Sequence, residues 1–288
     1  MKKSILKLMI FASMFTLGIS TISQASILDR NQLTTVLHDG GIKLNLLSDG
    51  NPPGSTKIIV NATEKDYENY MPKREFIAAI NAFLVTTADK TILIDTGYGK
   101  EIFENLKYLG VKPEEIDIVL LTHMHGDHIN GLLLDDKVAF PNAEIYVAKK
   151  EFEYWQDKPA VNMLKPYTNK IKFVEPGELE NGGNQILPGI FAIAAYGHTP
   201  GHTMYLFKDG KEEFLLWGDI THVTPMQIPA PGVFVTYDID PQQAVATRQK
   251  VIDFLAKQDI PVAGAHINYP GMLYIKTDGD SYKYSFVK

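Results

Sequence analysis

The chain has 288 residues, of which 45% are hydrophobic and 22% are charged, and it contains no cysteine. This length and composition suit a globular protein with a sizeable core. The 34 acidic residues outnumber the 28 Lys and Arg, which argues against nucleic acid as a partner because its phosphates attract basic surfaces. Without cysteine the protein has no disulfide, no thiolate nucleophile and no thiolate metal ligand.

The amino-terminal segment has the pattern of a secretory signal peptide. A basic segment (residues 2–7) precedes an apolar run (residues 8–19), and Ser23-Gln24-Ala25 is a small-x-small cleavage site. We expect cleavage after Ala25, a periplasmic or secreted location, and one domain formed by residues 26–288. A membrane anchor is the alternative, but the apolar run is short for a spanning helix and polar residues interrupt it. We therefore expect no membrane anchor after cleavage.

Predicted strands and helices alternate in both halves of the chain. Apolar runs and alternation predict strands over residues 42–47, 57–60, 77–86, 91–94, 117–121, 144–147, 190–195, 203–208 and 213–217, and a hairpin over 272–287. Amphipathic spacing predicts helices over residues 101–109, 149–156 and 240–257. A polar segment rich in Gly, Asn and Pro separates the halves at residues 176–188. This order favours two packed sheets flanked by helices, with a site at one rim.

The most informative segment is Thr122-His123-Met124-His125-Gly126-Asp127-His128, which directly follows an apolar run (residues 118–121). Imidazoles and carboxylates are costly to bury, so a core has no use for this many of them together. Imidazole nitrogen and carboxylate oxygen are, however, the ligands that borderline divalent metals accept. The segment therefore predicts a metal site in a loop after a strand.

Further candidate ligands follow other apolar segments. His198 and His202 lie in a Gly/Pro-rich loop at residues 197–202, Asp219 comes just after a strand, and His266 follows another apolar run. Each alone is weak evidence, but together with residues 123–128 they favour a metal centre built from several loops. His38 stands alone and is expected at the surface.

These segments resemble the metallo-β-lactamase superfamily. The resemblance covers the whole predicted mature chain and depends on the motifs Leu-Ile-Asp-Thr-Gly (residues 93–97), Thr-His-x-His-x-Asp-His (122–128), Gly-His-Thr-Pro-Gly-His (197–202), Gly-Asp (218–219) and Ala-His (265–266). It implies an α/β fold, the four-layer αβ/βα sandwich, and two divalent metal ions, foremost Zn²⁺, with Mn²⁺, Co²⁺ and Fe²⁺ as alternatives.

The resemblance also implies a role for each motif residue. Seven residues become ligands: His123, His125 and His198 for the first metal, Asp127, His128 and His266 for the second, and Asp219 as the bridge. His202 and Asp95 are implied to support the metal loops without ligating.

A finer similarity points to the exported methyl-parathion-hydrolase branch, which hydrolyses phosphotriesters and related lactones or esters. The similar segments are residues 217–223, 227–229, 237–241, 244–248 and 264–271. The acyl-homoserine-lactone lactonases instead carry a Tyr three residues after the bridging Asp, where this chain has His222. A mechanism that needs that phenol is therefore not implied here.

The resulting hypothesis is a dinuclear metal-dependent hydrolase that uses a metal-bridging hydroxide. Asp127 is the candidate for orienting the nucleophile or moving its proton, and His222 for contacting the substrate oxyanion or the leaving group. Trp155 is interpreted as a pocket wall or, equally, as part of the core. The expected partner is a small neutral lactone, carboxylic ester or phosphotriester, and a homodimer is compatible with the sequence.

Three alternatives remain open at this stage. A β-lactamase of the same fold is disfavoured because such enzymes normally lack the bridging Asp, here Asp219. A thioesterase of the hydroxyacylglutathione-hydrolase type shares all seven ligands but acts in the cytoplasm, which the signal peptide disfavours. An exported metal-binding protein without turnover belongs to a different class and has less need of a bridging carboxylate.

Overall fold

The computed structural model describes residues 29–34 and 36–287. The predicted signal peptide lies outside the described residues, so cleavage and export stay predictions. Among the described residues, no helix combines the length and the apolar character needed to cross a bilayer. The described helices are α1 (Arg30–Leu33), α2 (Glu64–Tyr70), α3 (Ile102–Tyr108), α4 (Gly126–Ile129), α5 (Lys149–Trp155), α6 (Thr224–Gln227) and α7 (Pro241–Lys257).

Most strands belong to two sheets of seven strands each. The strands of the first half are β1 (Val36–Asp39), β2 (Lys43–Gly50), β3 (Ile59–Val60), β4 (Ile80–Thr86), β5 (Thr91–Ile94), β6 (Ile118–Leu120), β7 (Leu133–Leu134), β8 (Lys137–Val138), β9 (Glu144–Ala148) and β10 (Ile171–Val174). Those of the second half are β11 (Asn184–Leu187), β12 (Ile190–Ala194), β13 (Thr203–Asp209), β14 (Glu212–Leu216), β15 (Phe234–Val235), β16 (Val262–Ala263), β17 (Met272–Asp278) and β18 (Ser281–Phe286).

The two sheets pack face to face and each carries helices on its outer face. Their strand orders are β1-β2-β4-β5-β6-β9-β10 and β11-β12-β13-β14-β16-β17-β18. Between them lies a core to which the first sheet contributes Leu44 and Phe83 and the second contributes Tyr205 and Phe207. Helix α3 packs on the outer face of the first sheet and α7 on that of the second. This is the predicted four-layer αβ/βα sandwich.

Strand direction brings the functional loops to one edge. β5, β6 and β9 are parallel neighbours, so the loops after β5 and β6 leave the first sheet at the same end. In the second sheet β12 and β14 are both antiparallel to β13, and β16 is parallel to β14. The loops after β12, β14 and β16 therefore leave that sheet together. Thr203 N donates to Thr122 O (2.9 Å), which joins the two sheets at this edge.

Helix α7 has the long apolar stripe from which a helix can be predicted with the sequence alone. Its buried face is Ala244, Arg248, Val251, Ile252 and Leu255, a helical spacing with one charged member. Asp240 caps its first turn by accepting from Gln243 N at 3.0 Å. The prediction of a helix over residues 240–257 is confirmed.

Other segments differ from the expectation. Residues 57–60 are not one strand, because residues 56–58 form a 3-10 turn whose first N–H groups Ser55 helps to cap. The 77–86 strand begins only at Ile80. The polar segment 176–188 contains a strand, β11, which pairs with β12 at the sheet edge. Helix α2, capped by Thr63 and Asp66, and strand β10 were not predicted. Short or edge elements bury little apolar surface and so leave weak periodicity.

A small lobe stands beside the functional edge. Strands β3 and β15 pair with each other, and Met71, Phe76, Val223, Met226 and Val235 form its core. Chain segments that are far apart in sequence therefore meet there, and β15 leads directly to Tyr237 and Asp238.

Candidate metal centre

The loops at the shared edge bring all seven predicted ligands together. His123, His125, His198 and Asp219 form one group and Asp127, His128 and His266 another, and within each group the candidate ligand atoms lie within 4.8 Å of one another. We call the three histidines of the first group, His123, His125 and His198, the first cluster, and the second group the second cluster.

The first cluster is a triangle of ring nitrogens. His125 Nδ1 lies 3.0 Å from His123 Nε2 and 3.0 Å from His198 Nε2, and the latter two are 3.2 Å apart. Nitrogens at a tetrahedral ion with bonds of about 2.0–2.1 Å lie about 3.3 Å apart. Three imidazoles gain little from such a mutual approach unless a cation is shared, so the spacing fits a metal ion.

The second cluster is looser, and Asp219 lies between the two. Asp127 Oδ2 is 3.8 Å from His128 Nε2 and 3.6 Å from His266 Nε2. Asp219 reaches the second cluster at His128 Nε2 (3.3 Å) and His266 Nε2 (3.1 Å), and the first cluster at His198 Nε2 (3.3 Å). Its placement is that of the predicted bridging carboxylate.

Two buried polar atoms give an independent test of whether metal ions fit. His128 Nε2 and Asp219 Oδ1 lie 3.3 Å apart and, among the described residues, neither has a hydrogen-bond partner. An unsatisfied buried polar atom is costly, and two facing each other are unusual. Divalent cations would satisfy both lone pairs, so the residues present fit the implied metals.

Two histidines and Asp219 are in the protonation state that metal binding needs, whereas His198, His128 and His266, whose pKa values burial lowers but neighbouring carboxylates raise more, must release a proton first. Burial, followed by the charge of neighbouring histidines, lowers the pKa of His125 to about 3 and that of His123 well below its usual value. Although burial raises the pKa of Asp219, His128 and His266 lower it more, and the result lies well below its usual value. Neutral imidazoles and ionised carboxylates are the forms that bind metals.

Each histidine that faces Asp219 from a distant loop is oriented through its other ring nitrogen. His128 Nδ1 lies 2.7 Å from Asp95 Oδ2, His266 Nδ1 lies 2.7 Å from Ala79 O, and His198 Nδ1 lies 2.9 Å from Asp238 Oδ1. Such partners fix the ring and leave Nε2 directed at the centre.

Asp95, implied by the resemblance to support the site, supports it through a strained backbone. Its φ is 57°, a left-handed value that few residues other than glycine and Asn or Asp adopt. Its carboxylate accepts from Thr122 N and Thr122 Oγ1, both at 2.8 Å. The strain therefore directs one carboxylate at both the ligand loop and the His128 ring.

His202 is engaged at both ring nitrogens, so neither is available to a metal. Its Nδ1 lies 2.9 Å from Ala195 O, and its Nε2 accepts from Asp219 N at 3.0 Å. Gly218 allows this contact because a Cβ there would lie 2.5 Å from His202 Nε2, and its φ is +58°. His202 thus positions the backbone of Asp219.

The centre opens into a cleft of about 410 Å³. His125, Asp127, Asp219, His222 and His266 form its floor, and its walls are Pro52, Ala78, Ile80, Tyr98, Lys100 and Tyr237. His222 Nε2 lies 3.1 Å from Asp219 Oδ2, and His222 Nδ1 has no hydrogen-bond partner among the described residues. His222 therefore lies beside the two clusters, close enough to Asp219 and His266 to be a further candidate ligand.

Trp155 lies between the core and the site. It packs against the core of the first sheet's outer face, and its ring meets the His125 ring edge-on at 5.5 Å. Trp155 thus has the contacts of a core residue on one side and of a residue next to the site on the other. His38 lies apart from the centre, half-buried, with Nε2 3.0 Å from Glu212 Oε2.

Sequence reasoning missed several residues of the site. Tyr98 and Tyr237 line the cleft, although Tyr98 directly follows the 93–97 motif. Asp238 pairs with the buried Arg248 (3.3 Å), which was detectable as a charge on the apolar face of α7. Glu151 is completely buried, but its charged neighbours gave no signal for that.

The fold and the cluster define a protein of the αβ/βα sandwich class with a histidine- and aspartate-lined centre at the sheet edge. Residues 78–263 match the model of the metallo-beta-lactamase superfamily, and the chain belongs to that superfamily.

Individual relatives are more distant. The chain is 32% identical over 151 residues to the uncharacterized protein YobT of Bacillus subtilis, which covers 49% of this chain and 61% of that protein. It is 25% identical over 162 residues to an N-acyl homoserine lactonase of Bacillus cereus, covering 46% and 60%. The chain thus spans about three-fifths of the length of these relatives.

Two solved structures resemble most of the chain. The hydrolase AbOPH, described as a member of the beta lactamase superfamily, superposes with a TM-score of 0.79 at 29% identity. AidC, a dizinc quorum-quenching lactonase solved with the product N-hexnoyl-L-homoserine, gives 0.81 at 24% identity. Each likeness covers 88% of this chain and 97% of the other.

Proposed function

We propose that the protein is a dinuclear metal-dependent hydrolase whose native substrate is a lactone or another neutral carboxylic ester. Phosphotriester hydrolysis is proposed as a side activity. The observation that carries the proposal is the placement of Asp219 between two histidine-rich clusters at the floor of an open cleft. A site built only to store metal has no need of a bridging carboxylate or an open face.

The proposed ligands are those of the two clusters with Asp219 between them. When bound, a pair of divalent cations lowers the pKa of a water between them and polarises a carbonyl or phosphoryl oxygen. Zinc is the proposed metal because the donors are imidazole nitrogens and carboxylate oxygens. The dizinc centre of AidC supports that choice.

The chain's own residues would move protons and orient the substrate. The Asp127 carboxylate is 20% exposed and faces the cleft, so it can hold or pass a proton beside the reacting atoms. Burial is the largest cause that lowers the pKa of His222, to about 4, so its ring is neutral at pH 7. The neutral ring carries one proton: with that proton on Nε2, facing Asp219 Oδ2 at 3.1 Å, the unengaged Nδ1 accepts a proton or a hydrogen bond, and only with the proton on Nδ1 can the ring donate to a substrate oxygen or to the leaving group.

Two phenols at the mouth of the cleft complete the proposed substrate site. Tyr237 lies with its ring 5.7 Å from that of His222, and the exposed fractions of Tyr98 and Tyr237 are 41% and 51%. Burial and the Asp127 charge raise the pKa of Tyr98, which keeps its hydroxyl protonated as a donor. Tyr98 and Tyr237 thus supply phenol hydroxyls from other positions of the chain, whereas residue 222 is a histidine and supplies none.

The walls favour a neutral substrate with an apolar part. Pro52, Ala78 and Ile80 form one side, and Lys100 is the one Lys or Arg among the described lining residues. The likeness to N-acyl homoserine lactonases supports a lactone over a β-lactam or a thioester. The predicted signal peptide supports our proposal that the enzyme acts outside the cytoplasm.

The test is hydrolysis of a lactone series, p-nitrophenyl acetate and paraoxon, with nitrocefin and a thioester as competing substrate classes. Each is measured before and after removal of metal by a chelator. We expect chelator-sensitive turnover with the highest kcat/KM on a lactone or carboxylic ester. A higher kcat/KM on paraoxon than on every lactone would reverse the proposed order of substrates, and no chelator-sensitive turnover on any substrate would favour the non-catalytic alternative.

A further inference from the structure

We propose that Glu151 is a positioning residue that holds the two loops of the first cluster in register, so that its loss weakens one metal site and spares the other. The inference rests on the proposed metal centre. It assigns a role to a buried carboxylate outside the seven candidate ligands.

Glu151 lies on helix α5 and joins three parts of the chain through its two oxygens. Oε1 accepts from Met124 N (2.9 Å) and from Trp155 Nε1 (2.7 Å). Oε2 accepts from Thr199 Oγ1 (2.7 Å) and from Gly201 N (2.9 Å). Met124 separates two histidines of the first cluster, and Thr199 directly follows the third. One side chain therefore bonds both loops that carry this cluster.

Both oxygens of Glu151 must act as acceptors, because the two backbone N–H groups and the indole N–H can only donate, whereas the Thr199 hydroxyl can donate or accept. Burial raises the pKa of Glu151, and the hydrogen bonds from Thr199 and Met124 oppose that rise. Among the described residues Glu151 forms no ion pair with Lys, Arg or His, and its side chain is completely buried. A buried charge without a counter-ion is costly, so these hydrogen bonds are the interactions that hold it there.

The contact between α5 and the second loop is also steric. A Cβ on Gly201 would lie 2.2 Å from Glu151 N and 2.5 Å from its Cα, so only glycine lets the loop come this close to the helix. One turn further along α5, Trp155 donates to Glu151 and places its ring edge against His125. Helix α5 thus touches the surroundings of every histidine of the first cluster.

The second cluster has different support. Asp95 holds His128, and the Ala79 carbonyl holds the His266 ring. Among the described residues, the hydrogen-bond partners of Glu151 are Met124, Trp155, Thr199 and Gly201, none of which supports the second cluster in this way. Loss of the Glu151 carboxylate should therefore affect the two metal sites unequally, which a general loss of stability would not do.

The experiment measures zinc binding by the metal-free protein in competition with a chromophoric chelator, together with its thermal unfolding. Glu151→Gln keeps the shape, but in either orientation of its amide the NH₂ group faces at least one backbone N–H, that of Met124 or that of Gly201. Asp49→Asn is the matched control, because Asp49 is also a buried carboxylate that accepts several backbone N–H groups, among them Glu101 N (2.6 Å) and Ile102 N (3.0 Å), but none from a first-cluster loop.

We expect the wild-type protein to bind two zinc ions. Glu151→Gln should bind one zinc ion at the second cluster with wild-type affinity and the other, at the first cluster, about 10–100-fold more weakly. Asp49→Asn should unfold at a lower temperature with the affinity of the first cluster unchanged. Thr199→Val removes one donor and should show a smaller loss at the same step, which keeps the test valid if Glu151→Gln does not fold.

The contrary results are distinct. Two unchanged binding steps in Glu151→Gln, or equal weakening of both, would overturn the positioning role while the metal centre stands. A wild-type protein that binds no zinc or other divalent metal would instead overturn the proposed centre itself.

Discussion

The two clusters contain similar ligands but are held in different ways. The first joins loops from both sheets, and buried carboxylates reach it from outside the sheets: Glu151 on α5, and Asp238 just before α7. The second is held by Asp95 at the end of β5 and by the Ala79 carbonyl just before β4. The comparison shows that the first site depends on helix packing, whereas the second depends on residues adjoining the strands. Asp219 lies where the two kinds of support meet.

The largest effect should come from the residue that the clusters share. Asp219→Ala removes the carboxylate that contacts both, so we expect both zinc-binding steps to be lost and kcat/KM to fall by more than about 100-fold, the upper range for residues that act behind a ligand. Metal analysis and hydrolysis assays check this. His202→Ala is the control, because it removes hydrogen bonds to the Ala195 carbonyl and the Asp219 backbone but no candidate ligand, and it should cost less. Equal, small losses in both variants would show that Asp219 does not join the clusters.

The next largest effect should come from Asp238, the other buried carboxylate that reaches the first cluster, and it should fall on the first cluster rather than on the second. Asp238→Asn leaves His198 Nδ1 without a charged partner and Arg248, which is 1% exposed, without its counter-ion. Breaking a buried ion pair costs about 3–5 kcal/mol. Since Arg248 also donates to the Ile220 and Val233 carbonyls, we expect the low end of that range. Chemical denaturation of the metal-free protein, with zinc titration, measures it. An unchanged first-cluster affinity would contradict the proposed role of Asp238.

The first cluster should also give the metal affinity a pH dependence. Burial lowers the pKa of His198, but Asp219 and Asp238 raise it more, to about 9. The metal-free ring is therefore protonated at pH 7, and binding a cation must release that proton. Affinity should rise about tenfold per pH unit up to about pH 9, while His125, with a pKa of about 3, adds no slope there.

The stability of the metal-free protein should fall with rising pH, opposite to the metal affinity. The raised pKa of His198 stabilises the folded state fully at pH values below the pKa of an unfolded histidine, about 6.5. That stabilisation is lost as the pH rises through the folded pKa of about 9. Calorimetry in buffers of different ionisation enthalpy, with unfolding at pH 6 and pH 9, tests both slopes. Zinc binding without proton release at pH 7 would contradict the assignment of His198.

The smallest effects should come from residues of the cleft wall, which belong to neither cluster. Tyr98→Phe and Tyr237→Phe each remove one hydroxyl at the mouth of the cleft. Loss of one hydrogen bond to substrate corresponds to about 0.5–1.5 kcal/mol, or roughly two- to tenfold in kcat/KM. Steady-state kinetics on one lactone suffices, and zinc stoichiometry should stay at the wild-type value. A loss of zinc in either variant would show that the phenol belongs to the metal centre.

The sequence was sufficient for the parts of the molecule that depend on local pattern. The four-layer fold followed from the alternation of strands and helices and from the family resemblance. The candidate ligands were found because each follows an apolar strand. Helix α7 was found because its apolar stripe is long.

The rest depends on contacts between distant segments. Glu151 is preceded by two lysines and has the pattern of a solvated helix start, yet tertiary packing buries it completely against the loop at Gly201. Tyr237 becomes a cleft residue only because the β3–β15 pairing brings its loop next to His222. No local periodicity encodes such contacts, and short elements such as β3 leave equally little trace.

The most direct test of the dinuclear centre is metal reconstitution followed by turnover. Metal-free protein is titrated with zinc, and hydrolysis of a lactone is measured at each ratio of metal to protein. We predict that activity returns fully only near two zinc ions per chain and that Asp219→Ala stays inactive throughout. Full activity at one zinc ion per chain, or activity that persists in the metal-free protein, would contradict a two-metal hydrolase.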